Sequence, residues 1–206
     1  MEIIIADISH SRYAEEICIT IENAAKIRGT GIAKRQPEYI ISKMQEGNAV
    51  IALDNDKFAG FCYIESWSHG KFVANSGLIV HPDYRGLSLS KKIKQKVFDH
   101  SRKKFPEAKI FSITTGLAVM KLNSNLGYKP VTFSELTTDQ TFWNGCRTCV
   151  NYDVLQRTNQ KMCLCTGMLY DPATENSNQP KRKITEKTFA RLKRIKQHLF
   201  LKKEKK

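Results

Sequence analysis

The 206-residue sequence predicts an α/β fold in which helices flank a mixed sheet, and three observations carry that expectation. Short β-branched runs alternate with segments of helical periodicity. Three of those runs follow one another across polar turns, as an antiparallel meander does, and one leads through a turn holding Pro82 and Gly86 into a long cationic helix.

Taken in order, residues 2–7 read as a strand. The segment after them, capped by Ser9 or Ser11, repeats Ala14, Ile17, Cys18, Ile21 and Ala25 at helical spacing. Arg28-Gly29-Thr30-Gly31 breaks this helix, and Pro37 opens a second with Ile40, Ile41 and Met44 on one side and Gly47 at its end. Residues 49–53 and 58–67 are strand-like and meet at Asp54-Asn55-Asp56-Lys57. A turn at Ser68-His69-Gly70 leads into a third strand at 72–80. The helix from about Ser88 to Lys104 turns Leu89, Ile93 and Val97 inward and spreads Lys91, Lys92, Lys94 and Lys96 over the rest of its surface. A strand at 109–115, a helix at 117–125 ended by Gly127, and strands at 128–133 and 162–170 complete the set. The order β-α-α-β-β-β-α-β-α-β-β is neither a repeat nor a doubly wound sheet. The Asn, Pro and Ser content of 171–180 marks a linker, so the expected organisation is a domain at 1–170, a linker at 171–180 and a tail at 181–206.

Charge supports that division. The chain carries +14 from 34 Lys+Arg and 20 Asp+Glu; twelve of the cations and only two of the acids fall after residue 180, which leaves +10 on the tail and +4 on the body. Ile184, Thr188, Phe189, Leu192, Ile195 and Leu199 recur at helical spacing there, as in a cationic amphipathic helix that docks on the body, meets an acidic partner or nucleic acid, or lies in solvent. No Trp or Tyr interleaves those charges for base stacking. A core of this size needs no disulfide staples. No run approaches the ~20 apolar residues of a membrane span, and no signal peptide is recognisable, so the expected location is cytoplasmic.

The chemistry concentrates at 78–92. A strand, a tight turn, a loop with small residues at Gly86, Ser88 and Ser90, and a helix opening with Lys91 and Lys92 together aim free N–H groups and a helix dipole at one spot. That arrangement holds phosphate, although an ordinary strand-to-helix connection has the same outline. Val80-His-Pro-Asp-Tyr-Arg-Gly86 with its Lys-rich helix resembles the acetyl-CoA signature of the GNAT N-acyltransferases, and Asn123-Ser-Asn-Leu-Gly-Tyr128 resembles their second motif. The resemblance extends over about residues 1–170 and implies a GNAT-type, mostly antiparallel sheet with acetyl-CoA or another acyl-CoA as co-substrate. It also implies that the backbone of Ile79 and Val80 pairs with the pantetheine arm, and that N–H groups of Arg85, Gly86, Leu87, Ser88, Leu89 and Ser90 hold the pyrophosphate. Asn123 would hydrogen-bond the cofactor. Two departures stand out: Ser88 and Ser90 fill slots the family gives to Gly or Ala, and Asn123 replaces a tyrosine that protonates the leaving thiolate, a task an amide cannot perform.

Amine acyl transfer needs a base, an oxyanion donor and an acid. The Val80 N–H or its neighbour is the expected oxyanion donor, and Glu65 and His69 are the nearest titratable candidates for the base, since the next strand reads Ala74-Asn75-Ser76. Arg28, Thr30, Lys34 and Arg35 could clamp the carboxylates of a small-molecule amine such as glutamate, or form a solvated loop. This segment and residues 142–149 loosely resemble bacterial N-acylglutamate synthase-like GNATs of arginine biosynthesis. A protein-lysine or polyamine acetyltransferase, a degenerate CoA-, RNA- or protein-binding module, and a homodimer stay open as alternatives. Cys18 and Cys62 read as core residues. The Cys146-x-x-Cys149 and Cys163-x-Cys165 pairs offer either four ligands for a structural zinc or a set of buried or redox-active thiols.

Overall fold

The computed structural model describes residues 1–28 and 33–176. The chain divides into two compact units, Met1–Pro172 and Ala173–Lys206. The expected tail helix at 181–206, residues 177–180 of the expected linker and Thr30 lie outside the described residues, as does the side chain of Arg28.

The first unit runs β1 (Glu2–Ala6), α1 (Ala14–Arg28), α2 (Pro37–Gln45), β2 (Ala49–Asp54), β3 (Lys57–Trp67), β4 (Phe72–Val80), α3 (Leu89–Lys104), β5 (Lys109–Thr114), α4 (Leu117–Asn125), β6 (Lys129–Val131), α5 (Gln140–Asn144), α6 (Tyr152–Arg157) and β7 (Thr166–Tyr170). A one-turn helix α7 (Pro172–Asn176) follows, inside the segment read as linker. The expected order of strands and helices is therefore observed, with α5 and α6 added. Asp7 rather than Ser9 or Ser11 caps the first helical turn, accepting from the Ser9 N–H at 2.9 Å. The last strand starts at Thr166, so Cys163 and Cys165 lie in the bend before it rather than on one strand face.

One seven-stranded sheet, ordered β1-β2-β3-β4-β5-β7-β6, organises the unit, with every pairing antiparallel except β4 with β5. Strand side chains alternate, so β2 and β3 contribute to two cores. Ile51, Phe61, Tyr63 and Ile79 pack under α1 and α2, which bury Ile17, Ile21, Ile40 and Met44. Val50, Cys62, Ile64 and Val73 pack under α3 through Leu89, Ile93 and Val97. Each such aliphatic side chain, fully buried, stabilises by roughly 1.5–3 kcal/mol. A third, aromatic cluster of Phe111, Phe133, Phe142 and Trp143 joins β5 to α5.

Two features of β4 shape the site. Its pairing with β5 covers only Phe72↔Lys109, Val73↔Ile110 and Ala74↔Phe111, after which the strands part. Its register with β3 shifts between Phe61 and Tyr63, opposite Gly77, whose φ is +65°. An added Cβ at Gly77 would lie 2.3 Å from a Tyr63 ring carbon, so both conformation and space demand glycine there.

Candidate active site

The open side of β4 is where backbone groups become available. His81 N–H donates to Ala59 O at 2.9 Å, and Val80 faces Gly60 one residue earlier in the same register. Antiparallel pairs alternate between hydrogen-bonded and not, so Val80 turns its N–H and C=O away from β3, toward the gap where β5 has left. Ile79 by the same alternation is bonded to Phe61 of β3, which corrects the expectation that both residues offer backbone groups to a ligand.

Beyond Val80, Pro82–Tyr84 forms a single 3-10 turn closed by the Arg85 N–H on Pro82 O at 3.2 Å. The N–H groups of Gly86, Leu87, Ser88, Leu89 and Ser90 then find no backbone acceptor among the described residues. Gly86 takes φ +82° and Ser88 φ +56°, which turns this run of donors over the start of α3. Five N–H groups without a backbone acceptor at the positive end of a 16-residue helix make a cradle suited to holding an anion. Ser88 makes no side-chain cap bond, contrary to the role its hydroxyl suggested; it occupies left-handed backbone space, at a cost of about 1–2 kcal/mol relative to glycine.

A cavity of about 780 Å³ opens from the gap between β4 and β5, lined there by Ser76, Gly77, Leu78 and residues 112–119. On the α1–α2 face it reaches Arg35, Tyr39, Tyr63 and Glu65, and it continues to Phe111, Phe142, Trp143 and the four clustered cysteines. Glu65 is only 9% exposed, and the Tyr39 hydroxyl donates a short hydrogen bond to its Oε1. Burial, followed by the neighbouring Tyr63 phenol and the Glu65 carboxylate, drives the Tyr39 phenol far above its usual range, so it stays a donor. Arg35 Nε donates to the Tyr63 hydroxyl at 2.8 Å, its Nη1 donates to Lys34 O at 3.0 Å, and its guanidinium stands 5.4 Å from the Tyr39 ring centroid. A carboxylate held by a phenol beside a guanidinium is equipped to accept a proton and orient an anionic group.

The candidates from the sequence separate accordingly. Glu65 and Arg35 meet in the cavity. Lys34 lines its rim, pairs with Glu22 at 3.5 Å and is tied by its N–H to Thr148 Oγ1 at 3.2 Å. His69 does not line the cavity: it is exposed in the β3–β4 turn, at the opposite end of both strands from Val80. Asn123 is fully buried, donates weakly to Met168 Sδ at 3.6 Å, leaves its Oδ1 without a partner and does not line the cavity.

Cys146, Cys149, Cys163 and Cys165 do converge on the cavity, yet no group of three or more His, Cys, Asp or Glu among the described residues is placed to hold a metal ion, so the zinc expectation finds no support. Burial, then the neighbouring thiols, pushes Cys146 up to about 11 and Cys165 up to about 12, which keeps both as neutral thiols. Sequence reasoning missed Tyr39, Tyr63 and the aromatic wall, which come from α2, β3, β5 and α5 and share no local motif. It also misplaced Lys94, which is 1% exposed and lines the cavity; its position between Ile93 and Val97, four residues after Ser90, puts it on the inward arc of α3.

Residues 32–121, which hold the meander, the bulged strand, the cradle and most of α4, match the model of the Acetyltransferase (GNAT) family. The fold is the GNAT fold. No curated protein matches the chain. Among solved structures, N-acetylglutamate synthase from Neisseria gonorrhoeae, complexed with coenzyme A and N-acetyl-glutamate, aligns at TM-score 0.60 and 15% identity over 82% of this chain and 34% of its own, so the chain spans about a third of that enzyme. Rv2747 from Mycobacterium tuberculosis, in complex with CoA, aligns at TM-score 0.58 and 14% identity over 83% of this chain and 99% of its own. YncA from Salmonella typhimurium, with acetyl-CoA, aligns at TM-score 0.56 and 16% identity over 84% and 94%. At such identities the shared property is the GNAT fold. Among the described residues no helix is long and apolar enough to cross a membrane.

Proposed function

We propose that this GNAT domain transfers an acyl group, acetyl in the first instance, from an acyl-CoA to the primary amine of a small amino acid such as glutamate. One observation carries the reading: a single cavity connects the gap between β4 and β5 with Glu65 and Arg35. The cradle from Gly86 to Ser90 takes the pyrophosphate, and the outward-facing backbone of Val80 lies on the route to the gap. Glu65, held by Tyr39, accepts the ammonium proton of the acceptor; the Arg35 guanidinium orients a carboxylate; and the Val80 N–H donates to the oxyanion. The N-acetyl-glutamate in the Neisseria structure supports glutamate as the first acceptor to assay.

A second reading has its own observation. Trp67, Phe111, Phe142 and Trp143 line the same cavity, which favours an amine with an apolar or aromatic body over glutamate. The basic tail takes no part in either reading. Calorimetric titration with acetyl-CoA, followed by free-thiol release across amino acids and aromatic amines, tests both. Binding with turnover on one class is expected. Binding without turnover on any amine would make the domain a CoA-binding module, and absence of CoA binding would end the enzyme reading.

A further inference from the structure

Collapse of the tetrahedral intermediate expels a thiolate, and a proton must reach its sulfur. The residue in the second motif that the family resemblance would assign to this step is Asn123, an amide sealed in the core with no access to the cavity. The other cavity groups are engaged or unsuited. Tyr39 donates to Glu65, the Tyr63 hydroxyl receives Arg35, and both phenols are pushed well above their ordinary range by burial.

Lys94 differs from all of these. Its side chain is buried, lines the cavity beside the strand gap, and forms no hydrogen bond or ion pair among the described residues; its Nζ stands 5.2 Å from the Tyr128 ring centroid, and the Cys62 thiol is near enough to interact with its charge. It stands six residues into α3 from Ser88, about 9 Å along the helix axis from the cradle. A buried ammonium aimed into a cavity without a partner is costly unless a ligand uses it.

We propose that Lys94 is the general acid that protonates the departing thiolate, a role that rests on the acyltransfer reading above. As the C–S bond breaks, its electron pair passes to sulfur. One Nζ–H bond breaks and an S–H bond forms, leaving free CoA thiol and neutral Lys94, which regains a proton from water at the cavity mouth. The titratable groups facing Lys94 are Cys62 of β3 and Tyr128 before β6. Burial raises both, Cys62 to about 11 and Tyr128 well above its ordinary value, so both are neutral near pH 7. Burial also lowers Lys94 to about 8, opposed by Cys62, which leaves it protonated at pH 7 and a better acid than an exposed lysine.

The test combines donor chemistry with a readout independent of turnover. Lys94→Met is expected to cut kcat with acetyl-CoA by about 10²–10⁴-fold with little change in KM, and to abolish the fall in kcat as pH rises through about 8. Lys94→Arg, which stays charged, should move that limb to higher pH. A thioester whose thiol is much more acidic than CoA needs no acid, so the loss should largely vanish with it. In binary complexes with free CoA, thiolate absorbance should develop at lower pH in wild type than in Lys94→Met, because the ammonium stabilises the bound thiolate. Calorimetric CoA binding by each variant confirms that it folds. An equal loss with both donors, or a raised KM with unchanged kcat, would make Lys94 a packing or pantetheine-anchoring residue and overturn the proposal. Absence of turnover in the wild type would instead reject the acyltransfer reading, and the thiolate titration would still report on Lys94.

Discussion

The loop before α3 with the strand gap, and the far side of the cavity, are built by different means. At the cradle and the gap the working groups are main-chain N–H donors, placed by Gly77, Gly86 and the start of α3 within a stretch of about a dozen residues. At the acceptor end they are side chains, Arg35, Tyr39, Tyr63 and Glu65, delivered by separate elements and held by one another. A backbone site tolerates changes of side chain but not of conformation. A side-chain site has the opposite sensitivity.

Substitutions that exploit this contrast can be ranked. Gly77→Val should do the most damage, since a branched side chain meets the Tyr63 ring and an unfavourable φ at once; loss of soluble folded protein is the expected result, read by circular dichroism and gel filtration. Glu65→Gln keeps the shape and removes the proposed base, so kcat should fall by about 10²–10⁴-fold while acetyl-CoA affinity holds; an equal drop in affinity would mean the two ends are not separable. The cysteine cluster should resist alkylation. Thiols at about 11 and 12 are neutral at pH 8, so Cys146 and Cys165 should react with iodoacetamide at least ~100-fold more slowly than an unshifted exposed thiol, their rates rising with pH toward those values, as peptide mass spectrometry can follow.

Smaller effects probe the scaffold. Tyr128 donates to Asn75 Oδ1 at 3.0 Å while Asn75 Nδ2 donates to Ser101 Oγ at 2.8 Å, and Tyr128→Phe would strand the Asn75 carbonyl in the core. Unfolding in urea should show a loss of about 1–3 kcal/mol. Ser88→Gly should gain about 1 kcal/mol by releasing left-handed strain, offset in part by greater freedom in the unfolded chain, with CoA affinity unchanged or tighter.

The same contrast explains what could be read in advance. Strand periodicity, the polar turns and the loop before α3 are local, and the sequence carries them plainly. Residues 78–92 announced an anion site because every part of it is contiguous. Glu65 was visible only as a lone carboxylate on a strand, and its partner Tyr39 not at all, because their meeting depends on how α2 lies across β3. Lys94 was read as surface because the composition of α3 outweighed its phase relative to Ile93 and Val97. The cysteine spacing suggested ligands on one strand face, whereas Cys163 and Cys165 sit in a bend before the strand begins. His69 is near Glu65 in sequence but lies beyond the end of β3, out of the cavity.

The sheet order has a consequence for the nascent chain. Among the described residues β7 is the last strand made, yet it lies between β5 and β6 and supplies a pairing partner for each. Until residues 166–170 emerge, both earlier strands keep an unpaired edge, and the segment carrying Phe142 and Trp143 packs on Trp67 and Phe111 without the Leu169 that completes their cluster. Chains stalled before Thr166 should therefore be cut readily by protease after β5, while the β1–β4 meander resists. Completion of the outer sheet and closure of the cavity wall are then a single late event in synthesis.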